Sequence, residues 1–276
     1  MKVFTFFYNR YETATTSKAL YENRIDHNIL IHKENDYDLF KKGGTMFGKP
    51  IVTNAPKGLA NQRNNALELI NTGEWAVFMC DDFRKIASYP MESILNSKLT
   101  MDVNFENQRN LHVNKQKPMN LSQMFEMFPK LIELAESANI HLIGFGLHDN
   151  PLNLRKKFSF RGLADGRFWL VKKSYYKFDL NAQLIDDVAW TSENLIRHSN
   201  VLISNWTVPY FSRYTAGGFG STEERKQLRK KECNYLCNKF NPLIKMAHKP
   251  NWEYGTHIRI FGTDNNIKIA RKKILL

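Results

Sequence analysis

Two adjacent carboxylates, Asp81-Asp82, close the continuous apolar run Trp75-Ala76-Val77-Phe78-Met79-Cys80, and no other pair in the chain is so plainly placed for chemistry. Six apolar residues in a row suit a strand buried on both faces, so the two acids fall at a strand end. Carboxylates held there are costly unless they are solvated, paired or bound to a cation. Hard oxygen ligands suit Mg²⁺ or Mn²⁺. Such an ion can bridge a diphosphate and neutralise the charge that develops as one departs. A polar turn after a strand is the plain alternative, and two acids alone do not choose between them.

A second segment, Lys57-Gly58-Leu59-Ala60-Asn61-Gln62-Arg63-Asn64-Asn65-Ala66-Leu67, reads as a loop entering a helix. Helix starts favour anions, and Arg binds phosphate in a fork, so the first-turn N–H groups and Arg63 are placed to face a diphosphate. An ordinary surface turn is the alternative. A third segment, Leu184-Ile185-Asp186-Asp187-Val188-Ala189-Trp190, puts an acid pair at a predicted helix start, where negative charge is favoured by the macrodipole whatever its function. Cys80, Cys233 and Cys237 show no paired C-x-x-C spacing and read as small apolar residues rather than zinc ligands or a disulfide framework.

The elements that must position these residues follow from periodicity and punctuation. Residues 3–8 predict a strand, 15–24 a helix, and 28–32 a second strand. Gly43-Gly44 and Gly48-Lys49-Pro50 mark a loop before a third strand at 51–53. Ala66, Leu67, Leu69 and Ile70 give helical spacing over 59–72, with Gly73 as the stop. Strand and helix thus alternate through the first 80 residues, which implies parallel strands joined by right-handed crossovers. In such sheets ligands bind beyond the carboxyl ends of the strands, so Asn9-Arg10 and Asp81-Asp82 are the first places to look. Further on, 121–137 predicts a helical stretch interrupted by Pro129, with strands at 140–145, 167–171 and near 201–206. Asp149-Asn150-Pro151 predicts a turn, and 187–198 and 221–240 predict helices. On the last of these, Ser221 and Glu224 have capping-box spacing. Arg225, Lys226, Arg229 and Lys230 precede Cys233, Leu236, Cys237 and Phe240 on one face, so the second half is expected to dock while the first projects toward a partner.

Charge points to that partner. The net charge is +13, with +7 concentrated in 151–177 and +8 in 221–276, leaving −2 for the rest. Clustered cations favour a polyanion because neutralised phosphates release condensed counterions. Candidate nucleic-acid contacts are Arg155, Lys156, Lys157, Lys172, Lys173, Arg225, Lys226, Arg229 and Lys230. With 42% hydrophobic and 13% aromatic residues the chain can bury a real core, and disorder is excluded as its default. The apolar start Met1–Tyr8 is too short for a signal peptide, and no run approaches the roughly 20 residues that span a bilayer. A cytoplasmic protein without membrane partners is therefore expected.

Taken in order, Phe7-Tyr8-Asn9-Arg10, Gly58-Leu59-Ala60-Asn61-Gln62-Arg63-Asn64 and Val77-Phe78-Met79-Cys80-Asp81-Asp82 resemble the nucleotide-binding half of GT-A glycosyltransferases over roughly residues 1–220. The resemblance implies a Rossmann-like α/β fold: a mixed, mainly parallel sheet flanked by helices, here with a basic C-terminal helical extension over 221–276. It implies a UDP-sugar donor held by Tyr8, Asn9, Arg10, Gln62, Arg63 and Asp81, and Mn²⁺ or Mg²⁺ held by Asp82. Cys80 stands where many members have Asp. By the same match Asp187, and less so Asp186, contacts the acceptor hydroxyl. It would act as general base in an inverting enzyme and as an orienting group in a retaining one. In that fold a late histidine completes the metal shell, for which His257 ahead of His248 is the candidate, and Gly217-Gly218 reads as a candidate acceptor loop. More narrowly the chain resembles phage-encoded DNA-modifying glycosyltransferases, such as the T-even phage glucosyltransferases. That implies transfer of a hexose, glucose first, to hydroxymethylcytosine or glucosylated hydroxymethylcytosine in double-stranded DNA. A polysaccharide or lipid-linked sugar acceptor, and a non-catalytic nucleic-acid-binding protein, are the competing readings.

Overall fold

The computed structural model describes residues 1–7, 15–42, 47–56, 58–88, 117–146, 158–205, 207–212, 222–248 and 256–275. Tyr8, Asn9, Arg10, Arg155, Lys156, Lys157, the Asp149-Asn150-Pro151 turn and Gly217-Gly218 lie outside the described residues, as does the side chain of His248.

The expected alternation forms one side of an eight-stranded sheet. Strands β1 (Lys2–Phe6), β2 (Asn28–Ile31), β3 (Lys49–Val52) and β4 (Trp75–Cys80) stand in the order β3-β2-β1-β4, every pair parallel. The crossovers carry α1 (Thr15–Glu22), α2 (Glu34–Lys42) and α3 (Leu59–Glu68). Helix α2 was not legible in the sequence: its Glu34-Asn35-Asp36-Tyr37-Asp38 start is polar and offers little helical stripe. Gly73 sits at φ 87° just beyond the turn after α3, a conformation that a glycine adopts without penalty.

Beyond β4 the sheet becomes mixed. Strand β9 (Phe168–Lys172) lies antiparallel to β4 and to β7 (Leu142–Phe145). Strand β10 (Leu202–Ser204) is parallel to β7, and the short β8 (Phe158–Ser159) closes the edge antiparallel. The architecture is mixed α/β with a large, mostly parallel central sheet flanked by helices. A second, three-stranded sheet branches from it: β5 (Phe83–Ser88) follows β4 at once and lies between β6 (Lys117–Met119) and β11 (Thr207–Phe211). Pro129 divides the stretch at 121–137 into α4 (Leu121–Glu126) and α5 (Phe128–Ser137), a proline being tolerated only in the first turn of the new helix.

Strand periodicity sorts the core into two layers. Phe4, Phe6, Ala76, Phe78, Trp169 and Val171 face one side, with α3 and α6 (Asp186–His198); Val3, Val77, Met79, Phe168 and Leu170 face the other, with α4 and α5. The C-terminal segment is not wholly helical as expected. It comprises α7 (Thr222–Lys239), a hairpin of β12 (Ile244–His248) and β13 (Thr256–Ile260), and α8 (Asp264–Leu275). Cys233, Leu236, Phe240, Ile258 and Ile267 join the same buried cluster as Phe4 and Trp190, so this segment shares the core of the sheet. The described first half of α7 contributes no buried residue before Glu232, so its basic half is the part left outside the core.

Candidate functional site

The chain runs β1-β2-β3 to one side of β1 and then crosses to its other side as β4. The carboxyl ends of β1 and β4 therefore flank the point where strand order reverses, where open α/β sheets form a ligand crevice. Asp81-Asp82 is the whole connection between β4 and β5, and its backbone is clamped. Thr16 Oγ1 donates to Cys80 O at 2.6 Å and accepts from Phe83 N at 2.9 Å. Thr15 Oγ1 donates to Asp81 O at 3.2 Å, and Ser212 N to Asp82 O at 2.9 Å. Asp81 is buried, whereas Asp82 stays partly exposed at the corner.

Because β9 is antiparallel to β4, the residues that precede it arrive at the same corner. Cys80 N donates to Arg167 O at 2.9 Å, and Arg167 grips Asp165 with Nε at 2.8 Å and Nη2 at 2.6 Å. Burial, with Asp81, Asp82 and Asp165 adding to it against Arg63, pushes the Cys80 thiol far above its ordinary range. It is thus no nucleophile at neutral pH.

Arg63 is not where the sequence placed it. Its position in α3 shares the buried stripe of Ala60, Ala66 and Leu67, and the side chain is 1% exposed. Its guanidinium pairs with Asp186, donates to Gly166 O, and lies 4.3 Å from the ring centre of Trp169. It is an interior cation facing no solvent crevice. The start of α3 is likewise occupied: Ala60 N donates to Gln183 Oε1 at 3.3 Å. Gly58 has φ 135°, and a Cβ there would stand 2.2 Å from that oxygen. The helix start expected to cradle an anion is capped by the chain's own amide.

Gln62 is buried in the first turn of α3. It is 5% exposed, and its Oε1 has no hydrogen-bond partner. His32, one residue past β2 and equally buried, has an unpartnered Nδ1. Both sit at the carboxyl end of the parallel strands, since α3 begins where β3 ends. Buried polar atoms without partners are uncommon. Sequence reading passed over His32 because a single histidine after a strand carries no pattern.

The acid pair at the start of α6 is divided. Asp186 turns inward to Arg63; burial raises it to about 6 against the pull of that cation, leaving it ionised at neutral pH. Asp187 stays partly exposed. Burial first, then Asp165 and Asp186, raises it to about 7, against the Val188 N–H it accepts and, less, Arg229. A partly exposed carboxyl poised near neutrality is a candidate proton acceptor. Gly166 makes this approach possible: a Cβ on it would meet both Arg63 Nη2 and Asp187 Cβ at 3.0 Å.

Among the described residues no group of three or more His, Cys, Asp or Glu could hold a metal ion. His257 lies on β13, in the hairpin packed on α7, and joins no such group with Asp82. An all-protein cage is therefore absent among the described residues. A Mg²⁺-type site of one or two carboxylates completed by phosphate oxygens and water needs fewer protein ligands, and Asp81 and Asp82 are the carboxylates that stand at the end of β4.

The expected basic surface also divides. Lys172 pairs with Trp75 across the β4–β9 ladder, at the end of β4 opposite Asp81-Asp82. At about 3.3 Å per residue that is roughly 20 Å from the acids. Lys172 Nζ binds Glu136 at 3.1 Å, and Lys173 Nζ binds Ile70 O at 2.7 Å. Arg225 and Lys230 are exposed on α7, with Lys226 and Arg229 half-exposed, and Arg229 reaches the field of Asp187. Of these cations only Arg229 is linked to the acid pair of α6, and the Lys172–Lys173 pair lies at the far end of β4.

No protein-family model matches this chain. No curated protein matches it. Among solved structures it is similar to mannose-6-phosphate isomerase from Helicobacter pylori, at 12% identity over 97% of this chain and 89% of that one, with a TM-score of 0.31. A likeness that slight carries no argument about fold or function.

Proposed function

We propose that this chain is a divalent-metal-dependent glycosyltransferase of the GT-A type. It moves a hexose, glucose first, from a UDP-sugar to a hydroxyl of hydroxymethylcytosine, bare or glucosylated, in phage double-stranded DNA. The observation that carries the reading is the meeting, at the strand-order reversal, of Asp82 at the end of β4 and Asp187 at the start of α6, both partly exposed and both next to the Asp165-Gly166-Arg167 turn. In this reading the nucleoside lies against Gln62 and the end of β1. Asp82, with Asp81 behind it, would hold Mn²⁺ or Mg²⁺ against the pyrophosphate, supplying Lewis-acid stabilisation of the departing UDP. Asp187 Oδ1 is occupied by Val188 N at 2.8 Å, which leaves Oδ2 to accept the acceptor proton in an inverting reaction or to orient the hydroxyl in a retaining one.

The acceptor assignment rests on the cations of α7, Arg225 and Lys230 exposed and Arg229 acting on Asp187, a surface for phosphates. A base that must reach the crevice would be extruded from the duplex stack. No helix among the described residues is long and apolar enough to cross a membrane. The test is a nucleotide-sugar donor screen with hydroxymethylcytosine DNA and Mn²⁺, followed by mass analysis of the nucleosides. A hexose mass added to the modified nucleoside, and lost with Asp82→Ala, is the expected result. Transfer to glycans but not DNA overturns the acceptor. DNA binding without transfer or Mn²⁺-dependent UDP protection overturns the enzyme.

A further inference from the structure

The loop that delivers Asp187 to the crevice is tied down from outside itself. Helix α6 begins after Ile185 without a side-chain cap, and the backbone N–H groups of the loop leading into it need partners outside any helix or strand ladder. Glu232, on α7 and 2% exposed, supplies them. Its Oε1 accepts from Gln183 N at 2.8 Å and its Oε2 from Leu184 N at 2.9 Å. Both carboxylate oxygens thus grip consecutive backbone amides of a segment 48 or 49 residues away in sequence. Burying a carboxylate is expensive, and nothing in the packing of Cys233, Leu236 and Phe240 requires one at this position. The same loop sends Gln183 Oε1 to the start of α3, and one turn before Glu232 on α7 stands Arg229, whose charge acts on Asp187.

We propose that Glu232 is a positioning residue that locks α7 to the start of α6, so that a polyanionic acceptor seated on Arg225, Lys226 and Lys230 is held in fixed register with Asp187. Glu232 touches no substrate. It makes the docking helix and the reacting carboxylate one rigid piece. The proposal rests on the glycosyltransferase reading of the site. Misplacing a reacting group by about 1 Å costs on the order of a hundredfold in rate, whereas the metal and pyrophosphate placed at the end of β4 lie off this linkage, which reaches the donor side only through the Gln183 contact with the start of α3.

Glu232→Gln keeps the size of the side chain but turns a donor toward one of the two amides. The test compares it with wild type by amide hydrogen exchange and by transfer kinetics on hydroxymethylcytosine DNA. Exchange at residues 183–187 is expected to quicken at least tenfold, with that of β4 unchanged. kcat is expected to fall tenfold to a hundredfold, with UDP–Mn²⁺ affinity altered less than threefold. Glu232→Asp, which keeps the charge and withdraws it by one methylene, is expected to show the same split more mildly and serves if the Gln variant does not fold. Faster exchange with kcat within twofold of wild type overturns the proposal and leaves the glycosyltransferase reading standing, as does unchanged exchange. A wild-type protein with no transfer at all takes down the reading and this proposal together.

Discussion

Arg63 gives the sharpest separation between an interior role and a donor-binding one. Its guanidinium is buried against Asp186, Gly166 O and the face of Trp169. Arg63→Met removes the charge, keeps most of the volume, and strands Asp186 in the core. Breaking a buried pair from one side costs about 3–5 kcal/mol, and loss of the stacking on Trp169 adds up to about 2 kcal/mol. For a chain of this size 1 kcal/mol shifts the melting temperature by about 2–4 °C, so thermal unfolding at pH 7.5 is expected roughly 10 °C or more below wild type. The deficit has a definite pH sign. With Arg63 gone, Asp186 rises further above its unfolded pKa, near 3.9. The folded variant then binds its proton more tightly than the unfolded chain, so its stability is greatest at low pH and is lost as pH rises through the folded pKa. Acidification to pH 5 should therefore shrink the gap. The double variant Arg63→Met, Asp186→Leu should recover most of the loss, because an apolar pair of similar volume replaces a buried ion pair at little cost. Scanning fluorimetry with and without UDP and Mn²⁺ checks all three. A single variant that melts within 2 °C of wild type yet loses protection by UDP would refute the interior assignment.

The remaining expectations concern the crevice and its surroundings. If Asp187 takes the acceptor proton, log kcat should climb with pH at unit slope below about 7 and level above it, and Asp187→Asn should lose at least a hundredfold; a flat profile between pH 5.5 and 8 contradicts that role. The rings of His141 and His198 stack at 3.7 Å, with Ser174 on His141 and the Tyr176 hydroxyl on His198. Burial, then His141, Arg197, Arg271 and Lys172, holds His198 down to about 4, while burial and Lys172 lower His141 against Glu136. The stability present above pH 6.5 should fall as pH drops toward 4, by about 1–2 kcal/mol once solvent screening is allowed for, and His198→Phe should flatten that limb in acid unfolding curves. Arg225→Ala and Lys230→Ala should each lower the slope of log K for DNA against log salt by about one without changing UDP protection; an unchanged slope removes α7 from the interface.

The alternation of apolar strands and helices, and the acids ending the run Trp75–Cys80, were legible in the sequence because they depend on near neighbours: period, punctuation and a strand's end are local properties. So was the docking of α7 by its second half. The sequence could not show that β9 runs antiparallel to β4, because strand direction is set by which edges remain to be paired. That one fact brings Asp165-Gly166-Arg167 to the acids and carries Lys172 to the far end. Nor could it tell Asp186 from Asp187, or show that Arg63 points inward, since an arginine at a helix start reads the same whether its partner is a phosphate or a carboxylate 123 residues away. Glu232 looked like one more charge on a basic helix, and only the packed structure turns it toward two backbone amides. Composition and period therefore determined which segments exist and which of their faces are apolar. Tertiary pairing decided which charges meet, because a charge in the interior keeps its ionisation only beside a partner, and a chain read in one dimension holds no record of who stands next to whom.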